Sequence, residues 1–205
     1  ATLFRCWMID TRPLHSDEGV NFLFVQTTNR EGYYPYSHVN YHGPLFFYLI
    51  TWAVNLIGES EFGLRFIAIL FGILTTALTL CFRKQEGQLF PIIGALLVAI
   101  SPSLVFFSRY AIHETLLVFG SLGLAINMLS WTQSHWRGHW YLAAVNLAIL
   151  ITTKETFTVT LFCLALAFLS TGHWFAKFHA VRVQWHDITA SMLLWPRWLT
   201  QNPRR

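Results

Sequence analysis

Charge is what this sequence has least of. Only 12% of its 205 residues are Asp, Glu, Lys or Arg, against roughly a quarter in a soluble domain. That shortage excludes an ordinary water-soluble domain. Cysteine is scarce too: Cys6, Cys81 and Cys163 stand alone, with no CxxC pair. A disulfide framework and a cysteine-based metal site are thereby excluded, and free, buried thiols are expected. No Lys/Arg-rich run occurs, so the net charge of +4 and the pI near 9.2 do not indicate nucleic acid as a partner. No Gly-rich phosphate loop, no Ser/His/Asp arrangement and no repeat or heptad stands out.

What the chain does have is apolar length. It is 54% hydrophobic, with 18 Phe and 9 Trp, and its mean hydropathy is +0.44. Several runs approach the ~20 residues that cross a bilayer. The reading is an all-α, polytopic transmembrane helix bundle forming a single partial domain over 1–205. Residues 1–8 read as the end of a truncated span, and 9–61 as an outer loop carrying interfacial helices. Membrane helices are expected at 62–82, 89–107, 115–131, 141–151 and 157–170. Residues 172–205 read as a cytoplasmic segment and the start of a further span. The chain opens without an initiator Met or a signal-peptide n-region, so a fragment of a longer protein is expected.

Within the outer loop, Ser16 is placed to cap a short helix beginning at Asp17. Pro44 suits a first helical turn. The run 45–58 is short for a span, so a helix lying at the interface or tucked against the bundle is expected. Glu61 and Arg65 stand at helical i,i+4 spacing. The basic residues of "RKQEGQ", of 132–140 and of 172–187 place those segments on the cytoplasmic side. Alternation of spans then returns 9–44, "SRYAIHE" and "TTKET" to the opposite side together.

Those three segments hold the ionisable residues worth examining. Asp17 and Glu18 are helix neighbours and point in different directions, so one faces a site and the other supports it. Taken alone they read more simply as helix N-terminal charges. Arg109 and Glu114 share one turn, where a mutual ion pair is the simple alternative. Lys154 and Glu155 interrupt an apolar hairpin and must lie at the interface or in a wet cavity, if not as a structural ion pair. His42 precedes Gly43-Pro44 and reads as a turn residue. His135 and His139 have metal-like spacing but sit in a Gly-containing loop. Sugar transfer from a lipid phosphate needs such a mixture. A carboxylate takes the acceptor's proton, and cations, or a divalent metal held by carboxylates, offset the departing phosphate.

The order "RPLHSDEGVNF", "YHGPLFFYLITWAVNLIGESEFGLRFIAILFGIL", "SPSLVFFSRYAIHE", "TTKET" resembles the GT-C membrane glycosyltransferases. It is most similar to the family-39-like group of protein O-mannosyltransferases and aminoarabinose transferases, and within it to the flippase-activity-associated family of bacteria and archaea. The resemblance covers roughly 5–170. It implies a polyprenyl-phosphate-linked sugar donor, a lipid, glycan or protein acceptor, and an integral protein of the prokaryotic plasma membrane whose site faces outside. It matches Asp17 to the catalytic base, with Glu18 beside it, and Glu114 to the second acidic motif. Arg109 and Lys154 are expected to bind the donor phosphate, with His42 and Glu155 supporting. "HGP" carries Gly43 where relatives have the first Pro of an HPP-like element. The rival expectation is a lipid-linked-sugar flippase or transporter subunit, which would line a path across the bundle with ionisable groups.

Overall fold

The computed structural model describes residues 1–36, 42–82, 89–134 and 136–170. The segments 83–88 and 171–205, His135 and the start of the "YHGPL" motif lie outside them. The chain divides into a unit over Ala1–Thr158 and a second over Val159–Arg205.

Helix α1, Thr2–Cys6, leads through a 3-10 turn at Ile9–Thr11 into α2, Ser16–Glu31. The cap of α2 is His15, not Ser16. Its ring accepts from the Asp17 amide at 3.3 Å, while Glu18 reaches back to the His15 amide at 3.0 Å. This reciprocal arrangement satisfies two amides that a helix start leaves without partners. It launches a helix of 16 residues, longer than expected, which ends at Gly32.

Helix α3, Pro44–Ile57, begins on proline, whose missing N–H is not needed there. Phe46, Phe47, Ile50, Ala53 and Val54 are its buried side. Helix α4, Glu61–Thr79, is capped by the Ser60 hydroxyl, which accepts from the Gly63 amide at 3.0 Å. With the following 3-10 turn, α4 supplies one of two stretches among the described residues, Glu61–Phe82 and Glu114–Trp131, that are long and apolar enough to cross a membrane.

The apolar run read as one span over 89–107 is divided. Helix α5, Leu89–Ile100, stops at Ser101, and α6, Pro102–Phe107, starts afresh. Pro102 disfavours helical geometry at the residue before it. The break frees carbonyls at the end of α5. Arg5, fully buried, donates to Val98 and Ala99 oxygens at 3.3 Å each, a cation where the helix dipole favours one.

Helix α7, Glu114–Ser134, packs along α8, Gly138–Thr153. Lys154 is extended, and α9 runs over Phe157–Ser170. The core of the first unit gathers Val25 of α2, four residues of α3, Leu64 and Ile67 of α4, Ala111 and Leu116. Leu89, Phe90, Ile92, Ile93, Leu96 and Leu97 of α5 face outward, an apolar surface suited to lipid rather than water. The cysteines are free, but Cys81 and Cys163 lie exposed rather than buried.

Candidate functional site

Two adjacent acids on α2 have opposite environments. The Glu18 carboxylate is fully buried against Arg65 of α4. Arg65 donates its Nε to Oε1 at 2.8 Å and a terminal nitrogen to Oε2 at 2.9 Å. The Ala111 amide donates to Oε1 at 2.9 Å. Burial pushes the Glu18 carboxyl up, but the Arg65 guanidinium and the His15 and Ala111 amides outweigh it and hold the group below the usual carboxylate range. The other side of Arg65 meets Glu61 at 3.0 Å and the Ile9 carbonyl at 2.6 Å. The i,i+4 pair is therefore one edge of a larger lock.

Asp17, one residue earlier, points away from that lock. Its side chain is 72% exposed, with the His15 ring 3.6 Å away. It lines a cavity of about 350 Å³ shared with Asn21, His42, His113, Glu114 and Lys154. Asn21 donates to the Ala111 carbonyl at 2.7 Å. Glu18 and Asn21 thus grip the N–H and the C=O of one residue, Ala111. That grip sets the turn before α7, and with it Glu114, in register with Asp17.

The opposite wall is a backbone seam. His42 and Lys154 form an antiparallel bridge, and the Gly43 amide donates to the Thr153 carbonyl at 3.0 Å. A Cβ at position 43 would stand 2.2 Å from the Thr152 oxygen. Glycine in place of the proline of the HPP-like element has this physical reason: no side chain fits, and the N–H is in use. Gly43→Ala is expected to cost about 1–3 kcal/mol, as overpacking does, read from unfolding of the detergent-solubilised protein. Gly43→Pro should cost more, because it also removes the donor.

Across this seam Lys154 meets Glu114 at 2.8 Å, both side chains partly exposed. Neither pairing suggested by sequence proximity forms. Glu155 instead accepts from the Tyr36 hydroxyl at 2.5 Å. Arg109 donates to the carbonyls of Phe4, Trp7 and Met8, the shortest at 2.7 Å to Trp7, and is absent from the cavity lining. Among the described residues, the Lys or Arg that lines the cavity is Lys154.

His113 and Asn21 join the cavity lining without standing out in the sequence. The His113 ring stacks on His42 with centroids 4.0 Å apart and lies 4.2 Å from Phe46. Burial above all, then the neighbouring charges of His42 and Lys154, push its pKa down to about 2. It is a neutral ring at any physiological pH. Asn21 carries a signal the sequence does hold: it stands four residues after Asp17, on the same face of α2. Among the described residues no three His, Cys, Asp or Glu side chains converge to hold a metal ion. His139 lies 3.3 Å from Asn127 Oδ1; His135, its partner in the metal-like spacing, lies outside the described residues.

A family profile described as dolichyl-phosphate-mannose-protein mannosyltransferase matches residues 41–195. No curated protein and no solved structure matches the chain.

Proposed function

Because the chain belongs to the dolichyl-phosphate-mannose-protein mannosyltransferase family of GT-C membrane glycosyltransferases, we propose that it moves a sugar from a polyprenyl-phosphate donor to a hydroxyl acceptor on the non-cytoplasmic face. The observation that carries this reading is the cavity itself. A solvent-facing carboxylate, Asp17, and a lysine ammonium, Lys154, line one space of about 350 Å³. Transfer needs both. Asp17 takes the proton from the acceptor hydroxyl as its oxygen attacks the anomeric carbon. The bond from that carbon to the phosphate oxygen breaks, and its electron pair leaves with the lipid phosphate.

Lys154 offsets the charge that develops there. One of its three donors is held by Glu114, which fixes the ammonium's position and leaves two donors for phosphate oxygens. His113 suits the same site: being neutral, it adds no competing charge beside Lys154. Glu18 is proposed as the support of Asp17 rather than as a reacting group, since its lone pairs face Arg65, His15 and Ala111. No phosphate role is proposed for Arg109, whose terminal nitrogens face backbone carbonyls and which does not line the cavity.

The test is transfer by the full-length protein from a panel of polyprenyl-phosphate sugars, dolichyl phosphate mannose among them. Transfer from at least one donor is expected. Lys154→Ala should weaken binding of that donor about 10–100-fold, the worth of one charged hydrogen bond, and slow the reaction as well. Absence of transfer from every donor by folded protein would overturn the reading.

A further inference from the structure

We propose that Asn21 contacts the substrate, accepting a hydrogen bond from a hydroxyl of the donor sugar one helical turn below Asp17. The inference rests on the transfer reading above and adds a residue to it. Asn21 is 5% exposed and lines the cavity. Its Nδ2 donates to the Ala111 carbonyl at 2.7 Å. That bond fixes which end of the carboxamide faces where: the nitrogen is turned to Ala111, and Oδ1 is left. Among the described residues nothing donates to Oδ1, and it is not one of the sealed-off side-chain atoms without a partner. It therefore opens onto the cavity as a fixed acceptor.

A nearly buried amide oxygen needs a donor, and a sugar hydroxyl is the donor this chemistry would bring. Residues four apart on a helix have Cβ atoms about 5–6 Å apart. Asp17 and Asn21 can therefore address two groups on neighbouring parts of one bound substrate. Depth assigns the partner. Asp17 is 72% exposed and stands at the mouth, where an acceptor arrives. Asn21 lies below it, so its hydroxyl belongs to the sugar already seated on the donor phosphate. Being uncharged, Asn21 reads a hydroxyl without competing with Asp17 for the acceptor's proton.

Binding, not turnover, separates this from a purely structural role through Ala111. Dolichyl phosphate mannose, dolichyl phosphate glucose and their singly deoxygenated analogues, one for each ring hydroxyl, are titrated against the full-length protein in nanodiscs. Wild type and Asn21→Ala are compared, with Asn21→Ser as the second variant if alanine does not fold. One analogue is expected to bind wild type about tenfold more weakly than its parent, and to bind the variant as well as its parent does. A wild-type-to-variant ratio that is the same for every analogue would overturn the contact and leave the transfer reading standing. Failure of folded wild type to bind any polyprenyl-phosphate sugar of the transfer panel would overturn both.

Discussion

Asp17→Asn in the full-length protein is expected to reduce sugar transfer about 10²–10⁴-fold, the usual contribution of a positioned general base. The amide keeps the shape of the carboxylate but cannot take the acceptor's proton at neutral pH. Folding should be unaffected, because the Asp17 side chain is solvent-facing and the α2 cap is made by the Asp17 backbone amide and the His15 ring. Donor binding should persist, since Lys154 is untouched. Transfer and donor binding are measured on the same preparation. Near-normal transfer by the variant would remove Asp17 from the mechanism and return it to the part of a helix N-terminal charge.

Arg65→Met is expected to destabilise the fold by about 3–5 kcal/mol, the consequence of leaving a buried charge without its partner. Glu18 has no exposed side-chain surface in which to find a substitute. The carbonyls of Ile9, Arg12 and Pro13 lose their donor with it. Unfolding of the purified protein in a mild detergent reads the effect, and a wild-type-like midpoint would show that the lock does not hold the fold. The same pair makes stability depend on acid. The folded Glu18 carboxyl lies below its ordinary range, so its contribution is complete above the unfolded carboxylate pKa and fades as pH falls through the folded value. That acid sensitivity should be reduced in Arg65→Met.

The sequence carried the gathering of the chemistry more clearly than its pairing. Span alternation alone predicts that the segments of Asp17, Glu114 and Lys154 share one side, and these three residues line one cavity. Pro44 as a helix start and Glu61 beside Arg65 are local features, legible because helix geometry fixes neighbours at three and four residues. Which charge meets which is a different matter. Lys154 reaches Glu114 rather than Glu155, and Arg65 reaches Glu18 as well as Glu61, because packing of α2, α4, α7 and α8 decides those partners. Arg109 carries a charge in the "SRYAIHE" turn, yet carbonyls of α1 and of the residues after it take its terminal nitrogens. His15 caps α2 where the hydroxyl of Ser16 is the commoner choice by residue type. The division at Ser101 was hidden by unbroken hydropathy on both sides of Pro102.

The seam between Gly43 and Thr153 also fixes a schedule for biosynthesis. The Gly43 amide cannot find the Thr153 carbonyl until α4 to α8 have been translated and set side by side. At about 5–20 residues per second, the 42–44 segment waits on the order of ten seconds with its backbone unmatched. Asp17 and Asn21 leave the ribosome earlier still, and for that interval they form half a wall. The nascent chain therefore has no complete cavity until residue 154 arrives. A stall or truncation upstream of that residue would leave a bundle whose cavity lacks one wall.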